Sequence, residues 1–192
     1  GMTSMGLLCL NKGKVKVVRS MDKGAEQIIA LRKPVNFIGF RTLIQNRKHI
    51  SSAIALEDVS VCIIHKDDFL DIMESNGQLA KRIINMLASE LDAADRHAEI
   101  ITSKDLRSRL AEAIIRVLEF YGRNPEDDNR LNVLLKRSDM AGLSNMTTAN
   151  VIRTMSAFSK EGLIRTDLRK IWILKENDLK KIVGPVSTGL DN

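Results

Sequence analysis

Cysteine is scarce in this chain, with two residues among 192, Cys9 and Cys62. Two cysteines are too few for the disulfide framework of a small secreted domain, so the sequence favours a protein of the reducing cytoplasm. Cys62 lies in the apolar run 59–64, and we expect it to be a buried small side chain. No apolar run approaches the roughly 20 residues of a transmembrane helix, and no signal peptide is visible, so no membrane partner is expected.

Motifs of common enzyme and metal sites are also missing. The chain has no glycine-rich phosphate loop, no nucleophile elbow and no Cys/His zinc pattern. Its three histidines, His49, His65 and His97, lack the spacing of metal ligands, so we expect structural or surface roles for them. The sequence therefore predicts no enzyme activity, no cofactor and no metal site.

Positive charge, in contrast, is concentrated in one segment. The whole chain has a formal net charge of +6, from 30 Lys and Arg against 24 Asp and Glu. Residues 130–175 hold nine Lys and Arg against three Asp and Glu, which is also +6, so the other segments are neutral in sum. A local basic surface of this kind attracts phosphate and favours a nucleic-acid partner.

Residues 136–164 have the pattern of two short helices joined by a tight turn. Asn145 falls at the turn, where Asn tolerates the left-handed conformation of a sharp corner, and Thr147 follows as a candidate N-cap. One apolar face is formed by Met140, Leu143, Met146, Val151, Met155 and Phe158. The opposite face of the second helix carries Thr148, Ala149, Asn150 and Arg153, and these four residues and Thr147 are candidate DNA contacts. The pattern predicts a helix-turn-helix whose second helix lies in the major groove.

A helical hairpin inside an ordinary core would show the same spacing, so the flanking segment matters. Residues 162–164 read as a strand, 165–170 as a charged turn and 171–174 as a second strand. This predicts the wing of a winged helix, with Arg169 and Lys170 as candidate DNA contacts. Together with the local charge, the wing favours DNA binding over a purely structural hairpin.

The N-terminal part, from residue 5 to about residue 61, is expected to be β-structure. Strands are predicted at 7–10, 15–19, 27–31 and 54–64, and the first three should form two antiparallel hairpins. Residues 37–40 lead into a loop or short helix, and a further short helix is expected at 66–73.

A long helix is predicted from about residue 77 to residue 101. Apolar residues recur along it with spacings of three and four, at Ile84, Leu87, Leu91, Ala94, Ala98 and Ile101. This spacing is typical of a coiled-coil seam. A second apolar face, with Leu79, Ile83 and Met86, should pack on the β-structure. A single-chain core helix is the alternative, but two apolar faces require two partners and so favour a homodimer.

The remaining segments complete the predicted second half of the chain. Ser103 is expected to cap a helix at 104–121, and residues 122 and 124–129 should form a polar loop. A short helix at 176–182 closes the fold, and 185–192 is expected to be a frayed tail.

In this order of elements the chain resembles the Crp/Fnr family of bacterial transcription regulators, most specifically over 37–43, 59–69 and 135–164. The resemblance implies an α+β fold. Residues 1–75 would form an antiparallel β-roll of the cyclic-nucleotide-binding type, 76–102 a dimerisation helix and 103–192 a winged helix-turn-helix domain. It implies a homodimer that binds specific double-stranded DNA, with RNA polymerase as a possible further partner and an unidentified effector. The family's base-contacting positions correspond to Thr148, Ala149 and Arg153.

Several positions depart from the family pattern. The best-known members have Arg and Glu where this chain has Thr148 and Ala149, which implies a different half-site. In the cyclic-nucleotide signature a Glu comes soon after a Gly, but here Gly39 is followed by Phe40, and the signature's Arg-Ser pair has no clean counterpart at 49–52. Cyclic AMP is therefore not the expected ligand. The basic loop with Arg41, Arg47 and Lys48 could bind another anion, although a solvated loop is the favoured interpretation.

The resemblance also implies further strands before residue 7. A fragment, a misassigned start and a trimmed roll are three explanations that the sequence leaves open. A protein-interaction module or a small-molecule sensor, in which the winged helix does not bind DNA, is the alternative function.

Overall fold

The computed structural model describes residues 5–21 and 26–184, and the chain divides into two compact units, Gly1–Ala94 and Asp95–Asn192. The strands of the first unit are β1 (Gly6–Lys12), β2 (Val15–Ser20), β3 (Glu26–Arg32), β4 (Phe37–Ile38), β5 (Ser52–Ala55) and β6 (Ser60–His65). Its helices are α1 (Phe40–Ile44), α2 (Lys66–Ser75) and α3 (Gly77–Ser103), and α3 continues into the second unit. The second unit then contains α4 (Leu106–Tyr121), β7 (Arg123–Asn124), β8 (Asp127–Leu131), α5 (Arg137–Ser144), α6 (Thr148–Lys160), β9 (Ile164–Asp167), β10 (Lys170–Ile173) and α7 (Glu176–Val183). The predicted α+β fold is confirmed.

Over residues 5–21 and 26–94, the first unit contains two antiparallel three-stranded sheets, in the orders β4-β1-β6 and β3-β2-β5. The predicted hairpin of β2 with β3 is confirmed, and its turn at 22–24 lies outside the described residues. The predicted hairpin of β1 with β2 is wrong, because these strands lie in different sheets. β1 pairs with β6, and β2 pairs with β5. The consecutive strands β1 and β2 thus form one side of a bent ribbon whose other side is β5 and β6.

The ribbon bends at Gly13, between the end of β1 at Lys12 and the start of β2 at Val15, so the predicted start of the second strand holds and the first strand ends two residues later than predicted. Gly13 has φ +88°, and a Cβ atom at this position would lie 2.4 Å from the carbonyl oxygen of Asp58. Beside the bend, Lys14 Nζ donates to Glu57 Oε1 at 2.9 Å. The predicted single strand at 54–64 is therefore broken in two, because residues 56–59 carry the chain from one sheet to the other.

In the described part of the first unit, two hydrophobic clusters stabilise the fold. One contains Leu10, Val15 and Ile38. The other, the helix-facing cluster, joins the strands to the helices and contains Leu7, Phe40, Leu43, Phe69 and Ile83, with Leu79, Met86 and Leu87 packed against it. The predicted packing of a second face of the long helix on the β-structure is thereby confirmed.

Cys62 departs from its predicted burial, since the side chain is exposed. It lies on β6, which is the edge strand of its sheet in the described part of the chain. Nearly all of β6 is exposed for the same reason: an edge strand has a neighbour on one side only.

In the second unit, α4 provides the core, with one buried face that runs from Leu110 to Tyr121. The four-stranded sheet has the order β7-β8-β10-β9. The polar loop predicted at 122 and 124–129 is wrong, because β7 and β8 form a tight hairpin there and join the wing sheet. The Trp172 indole N–H holds this hairpin to β10 by donating to Asp127 Oδ2 at 2.5 Å.

The predicted cap of α4 is also corrected. Ser103 is the last residue of α3, and its hydroxyl donates to the Glu99 carbonyl at 2.8 Å. The N-cap is Asp105, whose carboxylate accepts the Ser108 backbone N–H at 2.8 Å. This hydrogen bond to the ionised form lowers the pKa of Asp105 below its ordinary value.

Among the residues described, none of the helices combines the length and the hydropathy that a membrane span requires.

Candidate DNA-binding surface

The turn between α5 and α6 has the geometry that the sequence predicts. At the start of α5 the Lys136 backbone N–H donates to the buried Asp139 carboxylate at 2.7 Å. At its end Asn145 adopts the left-handed conformation, with φ 50° and ψ 49°. The Met146 N–H then donates back to the Ala141 carbonyl at 3.0 Å. The corner is therefore fixed by local hydrogen bonds on both sides.

Helix α6 begins at the predicted cap, since Thr147 Oγ1 accepts the Asn150 N–H at 3.2 Å. Its inward face buries Val151, Met155 and Phe158. Its outward face exposes Thr148, Ala149, Ile152, Arg153 and Ser156. Because these residues recur at helical spacing, they form one continuous stripe that a groove of DNA can meet.

The stripe extends the candidate contacts beyond the predicted ones. Ile152 is 51% exposed, and Ser156 is exposed one turn further along. Both follow Thr148 at intervals of four residues, so helical periodicity alone could have identified them. Asn150, predicted as a contact, is half-buried, and its side-chain oxygen accepts from Arg153 Nη2 at 2.5 Å. This hydrogen bond gives the Arg153 guanidinium a preferred orientation on the helix surface.

The wing is a hairpin with a shorter turn than predicted. β9 and β10 extend into the charged segment, so that the turn consists of Leu168 and Arg169. Leu168 has φ 48° and is largely exposed at the tip. Arg169 and Lys170 are both exposed, and Lys170 stands directly opposite Asp167. The wing therefore presents cations beside an acidic neighbour.

Two arginines of α4 hold the helix-turn-helix from behind, and sequence reasoning missed both. Arg109 donates to the carbonyl oxygens of Ser144 and Asn145, the latter through a short contact. Arg116 donates to the Leu143 carbonyl at 3.0 Å. These carbonyls end α5, where backbone acceptors lack helical partners, so the guanidinium groups replace water there. A local sequence motif cannot predict these hydrogen bonds, because each arginine and its carbonyl partner are 27 or more residues apart in the chain.

His97 and Glu112 border the same arginines. Arg116 Nη1 lies 3.2 Å from His97 Nδ1, which accepts this hydrogen bond. Burial, followed by the charges of Arg116 and Arg109, lowers the pKa of His97 from 6.5 to about 4. Burial raises the pKa of Glu112 above its ordinary value, and Arg116 partly opposes this. His97 is thus held neutral behind the helix-turn-helix.

The predicted dimer seam on α3 is largely uncovered. Ile84, Leu91, Ala94 and Ala98 are exposed. Ile101 is half-buried, and Leu87 packs against the first unit's helix-facing cluster. Leu91 alone leaves 63% of its surface in water. A run of exposed apolar side chains on a long helix is a candidate contact surface for another molecule.

The segment that corresponds to the family's cyclic-nucleotide signature, from Gly39 onward, carries an apolar side chain where the signature has Glu. Gly39, the N-cap of α1, has φ 86°, and the next residue, Phe40, is 2% exposed and lies in the hydrophobic core. Arg41, one of the candidate anion ligands, faces Glu90 with Nε 3.7 Å from Oε2. The position after Gly39 is therefore occupied by a buried aromatic ring.

Two family models match the chain. The cyclic nucleotide-binding domain matches residues 1–76, and the Crp-like helix-turn-helix domain matches residues 108–182. Together they cover most of the sequence.

Individual relatives agree with these matches. The transcriptional regulatory protein btr of Bordetella pertussis is 24% identical over 175 residues, which are 91% of this chain and 72% of the relative. The cyclic AMP receptor protein of Thermus thermophilus is 24% identical over 181 residues, which are 92% of this chain and 81% of the relative.

The solved structure of FixK2 from Bradyrhizobium japonicum is similar in fold, with a TM-score of 0.84 at 19% identity. The match covers 97% of this chain and 91% of that chain.

Proposed function

Because this chain belongs to the Crp/Fnr family of bacterial transcription regulators, we propose that it reads a specific duplex DNA site as a homodimer, with α6 in the major groove. The observation that carries this proposal is the outward stripe of α6, which is capped at Thr147, free of acidic side chains and flanked by the basic wing. Phosphate contacts from Arg169 and Lys170 would position the helix, and base contacts from the stripe would supply the sequence preference.

Within the stripe, Arg153 is the residue suited to read a base pair directly. Its guanidinium can form two parallel hydrogen bonds with O6 and N7 of guanine, and its contact with Asn150 limits its rotamers before DNA arrives. Thr148, Ala149 and Ile152 offer short or apolar groups that suit the methyl group of thymine. We therefore expect a half-site with one strongly specified guanine and neighbouring positions read mainly by shape and apolar contact.

The dimer would form through the apolar seam of α3, with the exposed Ile84, Leu91, Ala94 and Ala98 and the half-buried Ile101 at the contact. A two-fold dimer places two recognition helices on successive major grooves, so the bound site should be an inverted repeat. This arrangement retains the three-part division of the chain, at 1–75, 76–102 and 103–192, as part of the proposal.

The effector is proposed not to be cyclic AMP. A ribose hydroxyl needs an acceptor and a cyclic phosphate needs a cation with amide donors, but Phe40 is buried where the acceptor is expected. Isothermal titration calorimetry of the full chain with cyclic AMP should give no heat of binding in the micromolar range. A low-micromolar dissociation constant would contradict this.

Selection of bound sites from random duplex DNA tests the main proposal. The expected result is an inverted repeat that the protein prefers over scrambled DNA, with affinity that falls steeply as salt rises because counterions are released. Binding that is absent at low salt would contradict DNA recognition and favour a protein-interaction module. Binding that shows salt dependence but no sequence preference would contradict the base-reading role of α6.

A further inference from the structure

The two cysteines, which are far apart in sequence, face each other in the first unit. β1 and β6 are antiparallel neighbours, and their register places Cys9 directly opposite Cys62. Opposed residues of an antiparallel pair project to the same face of the sheet. In such a pair the Cα atoms lie about 4.5 or 5.5 Å apart, and both spacings fall within the range that a disulfide spans.

Both thiol-bearing residues are open to small reactants. Cys62 is exposed and Cys9 is partly exposed, and both are free cysteines. They line one surface depression together with Asn11, Val35 and Ser60. Leu7 and Ile64 lie on the same sheet face and pack in the helix-facing cluster. Cys9 and Cys62 therefore lie next to the part of this face that the helices cover.

We propose that Cys9 and Cys62 form a redox modification site that a hydroperoxide converts reversibly to an intrachain disulfide. The exposed Cys62 thiol reacts first: hydrogen peroxide transfers one oxygen to sulfur, which gives a sulfenic acid and one water. The Cys9 thiol then attacks the sulfenic sulfur, the S–S bond forms, the S–O bond breaks, and the departing hydroxide takes the thiol proton as a second water. In sum two thiols lose two electrons and two protons, and one hydrogen peroxide becomes two waters.

Because β1 and β6 are already paired, the disulfide can form without a rearrangement of the backbone. Because the register already opposes the two residues, closure requires rotation of side chains and no slip of the ladder. An exposed disulfide between strands is the kind that thiol reductants open readily, so an excess of a dithiol should restore both thiols. In the oxidised state β6, which leads directly into α2, would be tied covalently to β1.

The experiment treats the reduced full chain with hydrogen peroxide, then blocks remaining thiols with N-ethylmaleimide under denaturing conditions. The expected product is a monomeric chain on non-reducing gels that has lost two hydrogen atoms and takes up no maleimide. Dithiothreitol should return two maleimide-reactive thiols, and digestion should yield a peptide that links Cys9 to Cys62. Melting temperature should rise on oxidation, since the cross-link restricts the unfolded chain.

Two variants make the result specific to the strand register. Cys9→Ser should leave Cys62 to form higher oxidation states or interchain dimers, with no intrachain link. The double variant Cys62→Ser/Val61→Cys keeps two cysteines, but position 61 opposes Leu10 and projects to the other face of the sheet. It should form the intrachain disulfide at least about tenfold more slowly than the wild type.

Four outcomes would overturn the proposal. Both wild-type thiols could remain reactive toward maleimide, or gain oxygen without losing two hydrogen atoms, or link only between chains. Equal rates of cross-linking in the wild type and the register variant would also overturn it, because opposition on one sheet face would then not be what joins the thiols.

Discussion

At the scale of single residues, Val35 holds a backbone conformation that β-branched side chains rarely adopt. Its φ is 73°, its N–H is fixed by the Leu10 carbonyl at 2.8 Å, and its side chain is 79% exposed. Left-handed backbone costs a non-glycine residue about 1–2 kcal/mol, and this exceeds the entropy cost of glycine, about 0.5–1 kcal/mol. Val35→Gly should therefore raise the free energy of unfolding by up to about 1 kcal/mol in urea titrations.

Ile50→Gly is a matched control for this prediction. Ile50 is also β-branched and 69% exposed, but it is not among the residues with positive φ. Glycine there adds only flexibility to the unfolded chain and should lower the free energy of unfolding by about 0.5–1 kcal/mol. Two variants that shift stability in the same direction would show that the backbone of Val35 is not strained.

The lowered pKa of His97 predicts that the free energy of unfolding decreases in weak acid. Its folded-state pKa of about 4 lies below the ordinary 6.5, so the unfolded state binds the proton more tightly. The stabilising contribution of neutral His97 is therefore complete above pH 6.5 and is lost as pH falls from 6.5 towards about 4. His97→Gln, which keeps a hydrogen-bonding side chain, should show a smaller loss of urea midpoint over this interval.

The neighbouring Glu112 opposes this effect in part. Burial raises its pKa, so its contribution to stability increases as pH falls through that raised value. Comparison of wild type with His97→Gln cancels the Glu112 term, because both proteins retain this carboxyl group. His65→Gln, which changes an exposed histidine, should follow the wild-type profile. A parallel profile for His97→Gln would refute the role assigned to His97.

At the scale of secondary-structure elements, the sequence predicts the second unit's motif better than the first unit's sheets. Asn145 and Thr147 act through neighbours a few residues away, so their types identify the turn and the cap directly. The segment at 11–13 also carries turn residues, but its geometry depends on Asp58, whose carbonyl crowds Gly13. A hairpin turn and a corner between two sheets use the same residue types, and only the distant partner distinguishes them.

In the candidate DNA-binding surface, too, residues whose role depends on near neighbours in sequence are predictable, and residues that depend on distant partners are not. The outward stripe of α6 is readable from helical periodicity, including Ile152 and Ser156. The supports behind it are not, because Arg109 and Arg116 are ordinary polar positions in the pattern of α4. Their role arises when α4 packs beside the free carbonyls at the end of α5.

For α6 and the wing we predict two different kinds of DNA contact. Arg153→Ala should remove one bidentate base contact, at a cost of about 1–3 kcal/mol, and relax the preference at one position of each half-site. Lys170→Ala should weaken binding to all sequences alike and lower the salt slope by about one. Binding should be measured on the selected site and its single-base variants at several salt concentrations.

Lys160→Ala provides the control on the same helix. Lys160 is exposed but lies at the C-terminal end of α6, away from the turn that enters the groove. Loss of the Lys160 side chain should leave the base preference unchanged. It should weaken DNA binding by no more than the loss of one phosphate contact does. If Arg153→Ala weakens every sequence equally, Arg153 is a phosphate anchor and α6 does not read bases through it.

At the scale of the whole molecule, helix α3 contains residues of both units and also has an exposed apolar face. The N-terminal part of α3 contributes Ile83 to the helix-facing cluster of the first unit, and Ile100, in the part of α3 that belongs to the second unit, is also buried. Between these anchors the helix exposes Leu91, Ala94 and Ala98 on another side. We propose that a second copy of the chain covers this apolar face, as the proposed inverted-repeat DNA site would also require.

Leu91→Glu tests this assembly, because it would place two carboxylates at the centre of the seam, where their burial without partners is costly. We expect a monomer by multi-angle light scattering at micromolar concentration, with unchanged helical circular dichroism, since Leu91 is already 63% exposed in the single chain. Leu168→Glu is the matched control: Leu168 is 86% exposed in the wing turn, so the same change there should leave the dimer intact. The monomeric variant should also bind an isolated half-site and the full inverted repeat with similar affinity. A Leu91→Glu protein that remains dimeric would place the seam elsewhere on the chain, whereas a monomeric variant that still prefers the full repeat would show that DNA itself assembles the pair.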